Sequence, residues 1–226
     1  MLLELCVRLS LRVPGNIIEF GVADGSSTRV IRRTLRRYRS RWFGGYGKKR
    51  IFALDSFEGL PESFENAAVG AFAGEVPKIH GVAFVKGYFE ETCTETLRQQ
   101  VGSVALAHLD ADLYSSTLYA LRWLTPLLHT GSILLFDEFT GGGQSEARAF
   151  EEWRQETGTQ LIRIAECDRD PSGWGASVAD RRLVFQVIGP EELPLRPGKD
   201  TAIWKLAYYL GRCGFKEAQA RIYDRL

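Results

Sequence analysis

The sequence predicts an α/β fold with a doubly wound, mostly parallel seven-stranded sheet that ends in an antiparallel edge hairpin. Two observations predict it. Short apolar runs alternate with helical patterns over residues 16–165, which is typical of a parallel sheet covered on both faces. The last two apolar runs, 160–165 and 182–188, are joined by a turn-rich segment without a helical pattern, which indicates an antiparallel pair.

The composition indicates one sizeable globular domain. The chain has 226 residues, ordinary proportions of hydrophobic and charged side chains and a net charge of +1, so a nucleic-acid partner is not expected. Four widely spaced cysteines favour reduced thiols over a disulfide or zinc scaffold. No stretch is long and apolar enough to cross a membrane. We therefore expect a cytoplasmic protein that acts on a small molecule, with no membrane partner.

The first half is predicted to contain four strands. The opening residues form a short amphipathic helix, interrupted in its apolar pattern by Glu4 and Arg8. A helix over 26–39 follows the first strand, with Ser26 or Ser27 as its N-cap. The long connection 57–79, rich in Glu, Gly, Pro and Ala, is expected to act as a lid loop. The four strands are predicted at 16–22, 50–56, within 80–87 and at 104–110.

The second half is predicted to complete a single domain over 1–196. Pro126 lies in the last turn of a helix over 115–128. Residues 197–226 form a helical extension that packs on the domain or on a partner in a homodimer. Because dinucleotide-binding oxidoreductases usually continue with parallel crossovers, the final hairpin favours the methyltransferase version of the fold. The remaining elements are a strand at 132–136, a helix at 146–156, strands at 160–165 and 182–188, and helices at 203–209 and 215–222.

A glycine-containing turn follows the first strand and opens the first long helix. Such a turn lets a ligand approach the backbone, and the helix N-terminus offers free amides. The phosphate fingerprint Gly-x-Gly-x-x-Gly is missing from this turn, and acidic residues stand where a pyrophosphate would lie. Because negative charge suits a sulfonium cation with an amino group, we expect S-adenosylmethionine. The residues expected to hold it are Glu19, Gly21, Asp24, Gly25, Ser26 and Ser27.

Two further strand ends are expected to complete the cofactor site. Asp55 and Ser56 end the second strand, where an acidic side chain can accept hydrogen bonds from both ribose hydroxyls of adenosine. Gly87 and Phe89 follow the third strand and border the adenine by the same topology. Singly, the glycines are equally well explained by a tight turn and Asp55 by a helix cap. Their position at three successive strand ends favours the cofactor site.

Four carboxylates follow the fourth and fifth strands, with Asp110 and Asp112 after one and Asp137 and Glu138 after the other. Neighbouring parallel strands end at the same edge, so these groups converge. Crowded carboxylates need a cation, and oxygen ligands indicate Mg²⁺ or another hard divalent cation. Asp110 and Asp112 point to the same side, so one can bind metal while the other serves as a base. Asp112 alternatively caps the next helix, and His108 is a second candidate base or a structural residue.

Together these sites predict methyl transfer to oxygen. A substrate hydroxyl attacks the sulfonium methyl group in line, so the protein must align the two groups and make the hydroxyl nucleophilic. A metal lowers the pKa of the hydroxyl, and a carboxylate takes its proton. The alternatives are an enzyme of this fold acting on a catechol, a polysaccharide or a lipid-linked glycan, and a non-catalytic S-adenosylmethionine-binding module that docks through 203–222.

With these motifs in hand, the sequence resembles the macrocin O-methyltransferase family. This is a family of class I S-adenosylmethionine-dependent enzymes with a Rossmann-like fold that methylate sugar hydroxyls in antibiotic biosynthesis. The resemblance spans about 16–157 and rests on Asp-Ser-Phe-Glu-Gly-Leu-Pro at 55–61 and Asp-Ala-Asp-Leu-Tyr-Ser-Ser-Thr at 110–117, with supporting matches at 18–27 and 84–89. It implies that the acceptor is a sugar-bearing or polyhydroxylated small molecule.

The resemblance also implies residue roles. Asp110, Asp137 and Glu138 would bind Mg²⁺, and Asp112 would be the base, with Asp110 also contacting the cofactor. The family usually has two aspartates where this chain has Asp137 and Glu138, and usually arginine where this chain has His108. The connection 57–79 is shorter than the helical lid of the family.

Overall fold

A computed structural model describes residues 2–38, 49–63, 67–139, 146–168 and 181–189. The predicted helical extension at 197–226 lies outside these residues. Within them, no helix combines the length and the apolar character needed to cross a bilayer. The strands are β1 Asn16–Phe20, β2 Ile51–Asp55, β3 Ala83–Lys86, β4 Val104–Leu109, β5 Ile133–Phe136, β6 Leu161–Asp168 and β7 Arg181–Val187. The helices are α1 Leu2–Ser10, α2 Ser26–Tyr38, α3 Phe89–Thr92, α4 Glu95–Val101, α5 Tyr114–Leu124 and α6 Glu146–Thr157.

The seven strands form one sheet in the order β3-β2-β1-β4-β5-β7-β6. The strands β1 to β5 pair parallel with one another, and β7 pairs antiparallel with both β5 and β6. The predicted fold class and its antiparallel edge are therefore confirmed. Because β7 runs against β5, the residues that begin β7 lie at the edge where the parallel strands end.

The sheet separates two apolar layers. Successive side chains of a strand point to opposite faces, so Ile17 packs with α1 and α2 while Ile18 packs with the helices of the other face. Trp123 of α5 and Trp153 of α6 are buried in that second layer. Both faces of the central strands are thus covered, which explains why β5 is apolar throughout and β4 is apolar except for His108.

Two features differ from the sequence prediction. The helices α3 and α4 between β3 and β4 were not predicted, although Thr94 caps α4 by accepting a hydrogen bond from the Leu97 amide. The helix predicted over 115–128 ends earlier, at Leu124, and continues as a 3-10 turn, Thr125–Leu127. Pro126 accounts for this change, because it supplies no amide to an α-helical ladder.

Candidate active site

A cavity of about 330 Å³ opens at the edge where the parallel strands end. This is the position at which ligands bind in open α/β sheets. One side of it is called the cofactor half after the role predicted for Gly21, Asp55 and Ser56. It comprises Gly21, Val22, Ala23, Asp55, Ser56, Gly59, Leu60 and Pro61. The other side, the acidic half, comprises Asp110, Ala111, Asp112, Ser116 and Glu138. Ala71, Phe72, Tyr88, Phe89 and Glu90 complete the lining.

Gly21 brings the two halves into direct contact. Its φ of 86° lies in the left-handed region, and a Cβ atom placed there would stand 1.8 Å from the carbonyl oxygen of Asp110. No other residue fits such an approach. The turn after β1 therefore rests directly on the loop after β4.

The Asp55 carboxylate holds the turn after β1 by accepting hydrogen bonds from the backbone amides of that turn. Its Oδ2 atom accepts hydrogen bonds from the Val22 amide at 2.7 Å and the Ala23 amide at 2.9 Å. Its Oδ1 atom accepts from the Phe57 amide at 2.7 Å. Asp55 also lines the cavity, where one lone pair of Oδ1 remains for a ligand, because each oxygen offers about two and Oδ2 already accepts two hydrogen bonds.

Several residues predicted to hold the cofactor lie away from the cavity wall. Glu19 is fully buried and accepts a hydrogen bond from Thr28. Asp24 accepts from the amide and the hydroxyl of Ser26, and these bonds lower the pKa of Asp24. Gly25 packs against Pro77 and Ile79. Ser26 and Ser27 begin α2, and Gly87 follows β3 with a φ of 139°.

The connection 57–79 folds back along itself beside the cofactor half. The Leu60 amide donates to the Ala71 carbonyl, the Gly70 amide to the Leu60 carbonyl and the Gly74 amide to the Phe57 carbonyl. Leu60, Ala71 and Phe72 line the cavity. The segment predicted as a lid loop therefore forms one wall of the site, except for 64–66, which lie outside the described residues.

Strained backbone surrounds the cavity. Four described residues other than glycine have positive φ, namely Ala23, Phe57, Phe72 and Asp112. Three of them line the cavity, and Phe57 directly follows the lining residue Ser56. Conformations of this kind cost free energy and cluster at functional sites. Asp112, with a φ of 57°, is the one that carries a titratable side chain.

Asp112 is not the N-cap of the helix that follows it. Leu113 occupies the N-cap position of α5 and makes no side-chain capping bond. Asp112 instead lines the cavity beside Asp110, half-buried. The alternative in which Asp112 serves as a helix cap is thereby disfavoured.

Beneath the acidic half lies a buried chain of charged groups. His108 Nδ1 lies 3.0 Å from Glu19 Oε1, and its Nε2 lies 3.9 Å from Asp137 Oδ1. Arg182, near the start of β7, pairs with Asp137 through Nε at 2.6 Å and Nη2 at 3.2 Å. Burial opposes a charge on His108, but Asp137 and Glu19 outweigh it and raise the pKa of His108 to about 10.

The acidic residues perturb one another's proton affinities. Burial and the charge of Asp137 raise the pKa of Asp110 to about 8. For Asp137 burial works in the same direction, but His108 and Arg182 outweigh it and hold the pKa of Asp137 well below its ordinary value. In one cluster, the lowered pKa of Asp137 favours its charged form, whereas the raised pKa of Asp110 favours its protonated form.

The donor set fits a hard cation. His108, Asp110 and Asp137 each offer an atom within 4.8 Å of the others, and Glu138 faces the same cavity. Asp137 and Glu19 favour a proton on His108, and such a proton would compete with a cation for the ring nitrogen. The carboxylates are suited, since a cation would relieve the repulsion that raises the pKa of Asp110.

Two charged residues of this site were missed by the sequence analysis. Arg182 could have been found, because an antiparallel last strand must begin at the edge where the parallel strands end. Glu146, the first residue of α6, is fully buried. Burial and the charge of Asp110 raise the pKa of Glu146. No sequence pattern distinguishes it from an ordinary exposed acid in a first helical turn.

Two curated proteins are similar to this chain in sequence. A 4'-O-methyltransferase of Streptomyces olivaceus, named for 8-demethyl-8-(2,3-dimethoxy-alpha-L-rhamnosyl)-tetracenomycin C, is 30% identical over 161 residues, covering 61% of this chain and 58% of the relative. Demethyldecarbamoylnovobiocin O-methyltransferase of Streptomyces niveus is 25% identical over 149 residues, covering 56% of this chain and 53% of the relative. The chain thus spans little more than half the length of these curated relatives.

Comparison with solved structures supports the fold. The O-methyltransferase NovP superposes with a TM-score of 0.61 at 20% identity, covering 83% of this chain and 78% of NovP. Residues 18–139, which hold most of β1, the strands β2 to β5 and both halves of the cavity, match the methyltransferase domain family. The chain therefore belongs to the methyltransferase domain family.

Proposed function

We propose that this protein is an S-adenosylmethionine-dependent O-methyltransferase that acts on a hydroxyl of a sugar-bearing natural product, with assistance from a divalent cation. One observation carries the proposal. A single cavity has a glycine turn and Asp55 on one side, and Asp110, Asp112 and Glu138 on the other. The names of both curated relatives, which are O-methyltransferases, support transfer to oxygen.

The cofactor half suits the uncharged and cationic parts of S-adenosylmethionine. Asp55 stands where a ribose can donate hydrogen bonds, and Gly21 lets the ligand approach the backbone. Tyr88 and Phe89 line the cavity after β3, where aromatic rings can border the adenine. The nearby carboxylates favour the sulfonium charge.

The acidic half suits the acceptor. The acceptor oxygen attacks the methyl carbon as the sulfur–carbon bond breaks, and the bonding electron pair stays on sulfur to give S-adenosylhomocysteine. We assign the proton of the acceptor hydroxyl to Asp112, whose carboxylate lines the cavity. Asp110, Asp137 and Glu138 are the proposed metal ligands, and a bound Mg²⁺ would lower the pKa of the hydroxyl. A metal there would share Asp137 with Arg182, which already pairs with it.

The acceptor class rests on the relatives. The first relative is named for a rhamnosyl-tetracenomycin acceptor, which carries a sugar. Together with the Asp-Ser-Phe-Glu-Gly-Leu-Pro and Asp-Ala-Asp-Leu-Tyr motifs, this supports narrower membership of the macrocin O-methyltransferase family. It also supports a role in natural-product biosynthesis.

The test measures cofactor binding and methyl transfer separately. The purified chain should bind S-adenosylhomocysteine in calorimetry and transfer methyl groups from S-adenosylmethionine to at least one member of a panel of glycosylated acceptors. Asp110→Ala should lose turnover yet still bind S-adenosylhomocysteine, and a chelator should do the same to the wild type. Glu95→Gln is a matched control, because Glu95 is an exposed acid paired with Arg98. Turnover that survives both Asp110→Ala and the chelator would rule out the metal role.

A further inference from the structure

Glu146 joins the two loops of the acidic half. Its Oε2 atom accepts a hydrogen bond from the Glu138 amide at 3.0 Å. Its Oε1 atom accepts a longer one, at 3.4 Å, from the Ala111 amide. Ala111 lies between Asp110 and Asp112, and the Glu138 amide belongs to the peptide that links Asp137 to Glu138. One side chain therefore holds the backbone of both acid-bearing loops.

Burial of the Glu146 carboxyl group costs free energy, which its two hydrogen bonds must offset. The Glu146 side chain is fully buried and lies near the charges of Asp110, Asp112 and Asp137. Burying a carboxyl group among like charges costs free energy that its hydrogen bonds must offset. An acid in a first helical turn gains from the helix dipole while it is exposed, so stability of α6 alone does not require this burial.

We propose that Glu146 is a positioning residue for methyl transfer, which holds the Asp110 and Asp112 loop in register with the Asp137 and Glu138 loop. The inference rests on the proposed O-methyltransferase function. It differs from the metal and base assignments, because Glu146 is not among the residues that line the cavity and acts through two backbone amides. Only a side chain with two acceptor atoms can serve both donors.

Glutamine tests this geometry with little change in volume. Its amide has one oxygen and one NH₂ group, so one of the two backbone amides would face a donor instead of an acceptor. The loops would then lose one of their shared restraints. Because a misplacement of about 1 Å can cost a factor of about 100 in rate, we expect kcat of Glu146→Gln to fall roughly 10- to 100-fold. The KM for S-adenosylmethionine should change less, since both of these hydrogen bonds of Glu146 go to loops of the acidic half.

The matched control is Glu156→Gln on the same helix. Glu156 pairs with Arg122 and so links α6 to α5, but it lies far along the helix from the cavity loops. It should leave kcat at the wild-type level. For each variant we would measure kcat, KM, the melting temperature, and the stoichiometry of S-adenosylhomocysteine binding, and express kcat per binding-competent molecule.

Glu146→Asp keeps the carboxyl group but is too short to reach both loops, so it should show the same loss of kcat. It replaces the glutamine variant in the test if that variant does not fold.

The outcomes are distinct. A kcat loss per binding-competent molecule in Glu146→Gln, with KM for S-adenosylmethionine and the binding constant for S-adenosylhomocysteine little changed, supports the positioning role. Wild-type kcat in that variant overturns it, as does a loss fully explained by a smaller binding-competent fraction. Wild-type protein that binds S-adenosylhomocysteine but methylates no acceptor in the panel contradicts the proposed function instead, and the positioning role falls with it.

Discussion

The two halves of the cavity hold their carboxylates in opposite ways. In the cofactor half, the Asp55 carboxylate accepts hydrogen bonds from three backbone amides. Its oxygens therefore have hydrogen-bond partners without requiring a charged neighbour. Around the acidic half, Asp110 and Asp137 come from the loops after β4 and β5, Glu146 comes from α6, and these residues perturb one another's pKa values. Backbone hydrogen bonds therefore satisfy Asp55, whereas the acidic residues repel one another. A bound cation or a bound proton would relieve the electrostatic repulsion among the acidic residues.

The largest expected effect is on the rate, in the acidic half. Asp112→Asn preserves the volume of the side chain and tolerates a positive φ, but its amide cannot accept the proton of the acceptor hydroxyl. We expect kcat to fall about 100-fold or more, while S-adenosylhomocysteine still binds. Steady-state kinetics and calorimetry check this. A variant with near wild-type kcat would remove Asp112 as the base.

Arg182→Met should mainly reduce stability. It leaves the buried Asp137 with a less complete set of positive neighbours, and we expect a loss of ~2 kcal/mol in the free energy of unfolding, allowing for the partly exposed guanidinium. Chemical denaturation measures it.

The control for that variant is Arg122→Met, whose exposed pairs with Glu152 and Glu156 should be worth less than ~1 kcal/mol. Adding Asp137→Asn to Arg182→Met should restore part of the stability, since the unpaired charge is removed. Simple additivity of the two losses would argue against direct coupling between Arg182 and Asp137.

In the cofactor half the expected effect is on affinity. Asp55→Asn turns an NH₂ group toward at least one of the amides of Val22, Ala23 and Phe57, so the turn after β1 loses a restraint. We expect the Kd for S-adenosylhomocysteine to rise about tenfold, or ~1.4 kcal/mol, with kcat at saturating cofactor changed less. Glu58→Gln, an exposed acid paired with Lys86, should keep wild-type affinity. An equal loss in both variants would contradict the role of Asp55.

The smallest expected effect is a pH dependence of stability. The pKa of His108 is raised in the folded protein from 6.5 to about 10, so the folded state holds the proton more tightly than the unfolded chain. This contribution is fully present below pH 6.5 and is lost as the pH rises through 10. Between pH 7.5 and 8.5 it should cost ~1 kcal/mol of stability.

The variant His108→Gln isolates that contribution, because its side chain cannot gain a proton. Free energies of unfolding should be compared for the two proteins at each pH in the presence of chelator. The difference between them should shrink toward alkaline pH. A difference that stays constant from pH 6.5 to 9 would show that His108 carries no extra proton in the fold.

Sequence reasoning succeeded where the determinants are local. Apolar runs and turn residues predicted the parallel strands, and strand order then placed Asp55, Asp110 and Glu138 around one cavity. In the turn after β1, Glu19 and Asp24 were predicted to hold the cofactor, and the structure shows them hydrogen-bonded to Thr28 and Ser26. Spacing along a chain cannot reveal which oxygen of a carboxylate is already occupied.

Long-range pairing explains what remained unpredicted. The partners of Asp137 and of the Ala111 amide come from β7 and α6, which are 45 and 35 residues away in sequence. Their contacts depend on strand direction and on the packing of α6, and neither leaves a periodic signal. Short helices such as α3 carry equally little pattern, because one turn does not establish a period.

The antiparallel direction of β7 also places Arg182 beside Asp137, so the hairpin that contains β7 contributes to the site. The match to the methyltransferase domain family stops at residue 139, just beyond the last parallel strand. A fragment cut there would keep every described residue that lines the cavity. It would lose Arg182 and Glu146, which contact the loops that carry the acidic half. In choosing fragments for expression or for domain exchange, the hairpin at the sheet edge is therefore best treated as part of the site.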